Sequence, residues 1–287
     1  MTDEPLSLIA PLAAKTGEQH CRNDEGSGSC AWYHGTLDYL RLLDLVISPH
    51  AHRDFFVPAF QGLAEGSSSH RVLVSGAGDC SMMTQVLSGF RAASVEPDIT
   101  VIDRCETPLI LNRWLAEREG LSIETAQSEV LDFETSHPFD VICTHCFLGY
   151  FTSEVRPRVA DKWFSLLRPG GRLLTINPIR NTPDDSLVRF TPEQAASFGE
   201  RALRAAQSRP DLFGTDLDWF RKRVGEYARN FGSYPVRSAE DFRSLFEKAG
   251  FSVERMSPLS LPGTPVSASS GPTELGLLFM SVVAVRP

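Results

Sequence analysis

The sequence predicts an α/β fold with a mostly parallel sheet covered by helices on both faces. Short apolar runs alternate with helical stretches from about residue 70 to 180, and the first run, "RVLVSGAG", ends in a glycine turn. Strand and helix spaced in this way build βαβ units, whose crossovers lay helices on the faces of the sheet. The chain also closes on two strand-like runs, "FSVERM" and "ELGLLFMSVVAVRP". These read as a final pair joined by "SPLSLPGTPVSASSGPT", a connection long enough to be mobile or functional.

Each element has its own signal. Residues 1–30 are mixed in character, with "RNDEGSGS" as a flexible link. Leu37, Leu40, Leu43 and Val46 recur at helical spacing, so a helix is expected from Trp32 to Val46 and a second over 51–63. After "EGSSSH", a strand in "RVLVS", a helix in "SMMTQVLSGF" and a strand in "DITVIDRC" follow in turn. "TPLILNRWLAEREG" is a helix with a glycine stop, "SIETAQSEV" a third strand and "FDVICTHCFLGYF" a fourth. "RPRVADKWFSLLRPGG" reads as a helix ending in a Pro-Gly-Gly turn, and "RLLTINPI" as the next strand. Two further helices are expected over Pro192–Ala206 and Leu217–Asn230, before a capped helix in "SAEDFRSLFEKAG" resumes the alternation. The organisation expected is a helical N-terminal lid (1–65), a core (66–180), a helical insertion covering the substrate (181–235) and the remainder of the core sheet (236–287).

Composition narrows the function. The 287 residues suit one elaborated domain, and the net charge of −8 argues against a general grip on nucleic acid. No apolar run reaches membrane-spanning length, and Asp3 and Glu4 stand where a signal peptide carries basic residues. The six cysteines are scattered and read as reduced thiols, which points to the cytoplasm. Cys143 and Cys146 flank His145 without a second ligand pair, so no metal is expected there or elsewhere. The expected partner is a small molecule.

The chemical centre is "VLVSGAGDCS". Gly76 and Gly78 allow a tight turn and a close approach of ligand to backbone, and the helix opening at Ser81 aims its amides at the same space. Ser81 replaces the third glycine of a dinucleotide fingerprint, and no Tyr-x-x-x-Lys pair supports a dehydrogenase. Asp103 follows the wholly apolar "ITVI", where a carboxylate accepts both hydroxyls of a ribose. Asp132 and Phe133, after the third strand, are an acid and an aromatic suited to an adenine, or else a polar loop with one anchoring ring.

On "VLVSGAGD", "VIDRC", "LDF", "FDVICTHCFL", "LLRPGGRLL" and "AGFSV…LLFMSVVA", the chain resembles the class I S-adenosylmethionine-dependent methyltransferases over about 70–180 and from 236 onward. The resemblance implies a Rossmann-like three-layer αβα sandwich, with a seven-stranded, mostly parallel sheet and an antiparallel last strand. It implies S-adenosyl-L-methionine as methyl donor or as the substrate itself. Gly76, Ala77 and Gly78 would then approach the methionine part, with Ser75 near its amine. Asp103 and Arg104 would lie at the ribose, Asp132 and Phe133 at the adenine, and Thr144 and His145 beside the sulfonium. One departure is Val74, where the family often carries an acid.

Such a sheet leaves its ligand uncovered above the carboxyl ends of the strands. The N-terminal segment and residues 181–235 are the candidate covers. Trp32 and Tyr33 offer aromatic faces to a sulfonium, an attraction of about 0.5–2 kcal/mol, and His34 a hydrogen bond. The alternative is that all three pack their helix onto the body, the preferred reading for Trp32. Phe147, Tyr150 and Phe151 complete an aromatic box or belong to the core. Tyr33, His34 and His145 are the catalytic candidates, the histidines as general bases. Methyl transfer to a small N or O acceptor is the default activity. The two covers and "CETPL" also resemble azetidine-2-carboxylate synthases, in which the α-amino nitrogen attacks the γ-carbon of the same molecule and expels methylthioadenosine. A non-catalytic nucleoside-binding protein is the third reading.

Overall fold

The computed structural model describes residues 4–21, 29–65, 70–213, 217–259 and 278–287. Its centre is a seven-stranded sheet in the order β3-β2-β1-β4-β5-β9-β8. The strands are β1 (Arg71–Ser75), β2 (Asp98–Asp103), β3 (Glu124–Gln127), β4 (Phe139–His145), β5 (Leu167–Ile179), β8 (Ser252–Leu259) and β9 (Leu278–Val285). β1 to β5 run parallel, whereas β9 is antiparallel to both neighbours, β5 and β8. The expected sandwich with an antiparallel last strand is therefore the fold observed.

The apolar runs explain the layers. Val72, Leu73 and Val74 of β1 are all buried, as a central parallel strand requires. Successive side chains point to opposite faces, so Val72 and Val74 join one core cluster while Leu73 joins another. The first face is covered by α3 (Arg53–Ala64), α4 (Ser81–Ala92) and α5 (Glu106–Glu119), the second by α6 (Arg156–Leu166) and α10 (Ala239–Lys248). Gly120 ends α5 in the left-handed conformation, as its glycine stop predicts.

A third cluster lies above the sheet. It joins α2 (Ala31–Leu42) to α7 (Pro192–Gln207) and α9 (Asp218–Asn230) through Leu37, Leu40, Phe198, Phe220 and Tyr227. A short α8 (Pro210–Phe213) and a two-stranded ribbon of β6 (Val188–Arg189) and β7 (Gly232–Ser233) complete the insertion. Among the described residues, no helix is long and apolar enough to cross a membrane.

Three local expectations are corrected. The first 30 residues contain α1 (Leu6–His20), which Pro11 inside the helix conceals in the sequence. The helix expected to run to the Pro-Gly-Gly turn stops at Leu166, because Leu167 pairs with Phe139 and begins β5. β4 ends at His145, because Cys146 adopts a positive φ of 55° and a 3₁₀ turn follows at Leu148–Tyr150. The connections "RNDEGSGS" and "SPLSLPGTPVSASSGPT" lie largely outside the described residues.

The crossing of α3 and α4 depends on Gly89. A Cβ there would sit 2.4 Å from Phe60 Cβ and 2.8 Å from the Val57 carbonyl oxygen. Alanine gains about 1 kcal/mol of helix propensity, but contacts this short, one of them to backbone, cost the upper part of the usual range to relieve, about 2–3 kcal/mol. Gly89→Ala is expected to lower the unfolding free energy by about 1–2 kcal/mol in urea denaturation. Unchanged stability would mean that the crossing has slack.

Candidate active site

The strand order reverses between β1 and β4, and the crevice of such a sheet opens there, beyond the carboxyl ends of the strands. A cavity of about 680 Å³ occupies this place, within the range of small-molecule sites. The turn after β1 forms its floor. Gly76 and Gly78 have φ values of 73° and 64°, and the Phe147 ring lies so close to Gly76 that a Cβ would be 2.2 Å from it. Only glycine satisfies both demands. Asp103 ends β2 at the cavity wall, accepting from the Cys105 amide at 2.8 Å and, more loosely, from the Gly78 amide at 3.4 Å. Burial raises its carboxyl above the usual range, a shift opposed by His34 and these two amides.

Helix α2 forms the roof. Tyr33 stacks on Tyr227 of α9 at 6.2 Å and receives a 2.7 Å hydrogen bond from the Tyr150 hydroxyl. Its own hydroxyl lies over the turn, 3.8 Å from where a Gly78 Cβ would stand. Trp32 packs edge-on against both Tyr33 and Tyr227 and also lines the cavity. His34 donates from Nδ1 to Gly78 O at 3.0 Å. Burial alone would lower this imidazole, but Cys105, Cys30 and the Asp103 charge hold it well above its ordinary value.

Gly76, Ala77, Gly78, Asp103, Arg104, Tyr33, His34 and His145 all line the cavity, as do Phe147, Tyr150 and Phe151. Arg104 sits at the exposed rim, paired with Glu129 at 3.6 Å. Four expected residues lie elsewhere. Ser75 is fully buried below the turn, its hydroxyl accepting from Trp163 Nε1 at 3.0 Å. Thr144 is fully buried within β4. Asp132 is exposed, and Phe133 turns into the core to stack on Phe139 at 6.4 Å. β3 ends at Gln127, so the chain passes the cavity earlier, at Ser128, Glu129 and Val130.

The sequence reading also missed a buried ionic network. Arg41 of α2 pairs with Asp79, donates to Ser81 Oγ at 2.9 Å and lies 3.8 Å from Asp38. Asp79 in turn accepts from the amide and hydroxyl of Ser81, the first residue of α4. Burial pushes Asp38 up to about 6 and nearby Glu4 up to about 7, each opposed by Arg41. The available signal was a lone arginine inside the apolar run "YLRLLDLV", together with the acid directly after the glycine turn.

Three solved structures share the architecture. The N-methyltransferase NodS from Bradyrhizobium japonicum WM9, in complex with S-adenosyl-L-homocysteine, matches with a TM-score of 0.51 and 15% identity over 96% of this chain and 98% of that one. Magnesium protoporphyrin IX methyltransferase from Synechocystis PCC 6803, with the same ligand bound, matches at 0.52 and 14% over 89% and 96%. The [4+2]-cyclase SpnF matches at 0.52 and 14% over 98% and 93%. Comparison of the sequence gives no match to a family model or to a curated protein. The fold is that of the class I S-adenosylmethionine-dependent methyltransferases.

A histidine pair closes the β4 side of the cavity. His145 Nε2 lies 2.9 Å from His52 Nδ1. Burial lowers His145 well below its usual value and brings His52 down to about 4. An unfolded histidine titrates near 6.5. The folded state thus has its full His52 contribution above that pH and loses it as the pH falls towards 4, by roughly 3 kcal/mol. Glu4, raised rather than lowered, acts in the opposite sense over an overlapping window, so a variant is needed to separate them. The stability difference between the native protein and His52→Gln should be flat above about pH 7 and shift by roughly 3 kcal/mol against the native protein by pH 4. A difference constant with pH, read from urea unfolding, would mean that His52 charges freely in the fold.

Proposed function

We propose that the protein binds S-adenosylmethionine in this cavity and transfers its methyl group to a nitrogen or oxygen of a small molecule, releasing S-adenosylhomocysteine. The observation that carries this reading is Asp103 at the end of β2, facing one cavity with the Gly76–Gly78 turn beneath the Tyr33 roof. These residues fit the nucleoside chemically: a half-buried carboxylate for a ribose diol, a bare backbone turn for the amino-acid end, and aromatic faces for a sulfonium. Ser128, Glu129 and Val130, in place of Asp132 and Phe133, offer the adenine a wall. When bound, S-adenosylmethionine supplies the electrophilic methyl.

The chain's own part is placement and exclusion of water. His34 is engaged by Gly78 O, and His145 by His52. Since burial keeps His145 well below its usual value, it is a weak base, which favours an acceptor that loses its proton readily. Beyond the turn the cavity continues to Arg180, Arg189, Asn230 and Phe231. That room supports a separate acceptor, and its two arginines favour one bearing a carboxylate or phosphate. The tyrosine roof closing directly over the turn favours the second reading, cyclisation to azetidine-2-carboxylate without an acceptor.

Asp103→Asn keeps the shape and removes the charge. It is expected to weaken S-adenosylmethionine binding roughly tenfold to a hundredfold by calorimetry, and unchanged affinity would remove Asp103 from the site. Product analysis separates the two reactions. Incubation with S-adenosylmethionine alone should leave it intact, with S-adenosylhomocysteine appearing only when acidic amines or phenols are added. Methylthioadenosine with a matching cyclic amino acid would replace methyl transfer by cyclisation.

A further inference from the structure

Three cysteines and one histidine that the proposed reaction does not use meet at one place. The ligand atoms of Cys21, Cys30, His34 and Cys105 all lie within 4.8 Å of one another, and three of the four residues are buried. Cys105 Sγ is 3.6 Å from Cys21 Sγ and 3.7 Å from Cys30 Sγ. We infer that these four side chains form a tetrahedral structural zinc site that ties α1 and α2 to the sheet.

The geometry has the right scale. Ligands at 2.0–2.3 Å around tetrahedral zinc stand about 3.5–3.8 Å apart. Both sulfur–sulfur distances fall there, and the widest separation needs only about 1 Å of closure. Three thiolates and one imidazole are a closed structural set, with no position left for substrate. Soft sulfur ligands also select zinc over the hard cations.

The surroundings match as well. His34 Nδ1 lies 3.0 Å from Gly78 O, so an N–H there donates to the carbonyl and leaves Nε2 to the metal. Outer hydrogen bonds of this kind orient a metal-bound histidine. The buried Thr107 hydroxyl, 3.2 Å from Cys21 Sγ, donates to a thiolate in the same way. On binding, the thiols and the His34 ring nitrogen that faces the metal give up the protons they carry to solvent, and Zn²⁺ with three thiolates and a neutral imidazole carries one net negative charge.

Position gives the site its purpose. Cys21 closes α1, Cys30 precedes α2, and His34 lies in the first turn of α2. Cys105 stands between β2 and α5, two residues beyond Asp103, whose carboxylate takes the Cys105 amide. Zinc here fixes the roof helix and the Asp103 turn together. The inference is independent of the reaction, because metal content is read without any nucleoside.

The test is metal analysis of the full-length chain, expressed with zinc and purified without a histidine tag or chelator. About one zinc per chain is expected, retained through dialysis and released by a mercurial that caps thiols. Cys30→Ser and Cys105→Ser should each weaken zinc retention at least tenfold, whereas Cys143→Ser, in the core of β4, should keep full content. If the ligand variants aggregate, cobalt(II) exchanged into the native protein should give the absorption of a tetrahedral thiolate site. Native protein that binds no zinc or cobalt after remetallation would overturn the site. So would mass spectra showing a native disulfide among Cys21, Cys30 and Cys105.

Discussion

A guanidinium taken out of water must find carboxylates, and Arg41 finds them on both sides of the cavity roof. Its own helix supplies Asp38, while the turn after β1 supplies Asp79. Because Asp79 also accepts from Ser81 at the start of α4, one pair joins the roof helix, the glycine turn and the first crossover helix. Breaking a buried pair of this kind leaves an uncompensated charge, at about 3–5 kcal/mol. The placement of Tyr33, about two helical turns before Arg41, follows from that anchor. So does the closeness of its hydroxyl to Gly78. The cavity is therefore defined as much by ionic pairing beneath the roof as by the sheet.

Around this anchor, polar and aromatic contacts divide the labour. The sheet supplies rigid strand ends, with Asp103 and His145 at the tips of β2 and β4. The insertion supplies bulk, since Tyr227 stacks with Tyr33, Phe198 and Phe231 and fixes the roof from above. Arg156 joins the two, donating to the carbonyls of Leu148, Tyr234 and Pro235 and so tying the chain after β4 to the end of the insertion. A site built from elements so distant in sequence stays in shape because each wall is held by another wall.

Much of this was legible beforehand for physical reasons. Buried parallel strands announce themselves as apolar runs, α7 and α10 appear at the expected places because Thr191 and Ser238 cap them, and α9 because Phe220, Val224 and Tyr227 recur at helical spacing. α1 was hidden by its internal proline. In the site, Gly76, Gly78 and Asp103 were readable because backbone shape and a strand-end acid depend on local sequence. Asp132 and Phe133 lie off the cavity because the end of β3, which sets where the chain meets it, has no sharp local signal. Arg41 and Cys105 were not singled out at all. Their roles depend on which helix docks where, and Cys21 meets Cys105 only across 84 positions of chain.

The roof comes early in the chain, whereas what holds it comes late. On a ribosome, α1 and α2 emerge before any strand exists, and α2 has no Tyr227 to stack on until more than two hundred residues have been made. The sheet is equally deferred, for β9, made after both β5 and β8, lies between them. Pairing across such spans is slow, and the unpaired edge of β5 must wait for its partner. A nascent chain therefore carries its glycine turn and acid long before it has a pocket. The cavity closes only once the residues that line it latest in the chain, Phe231 to Ser233, have been made.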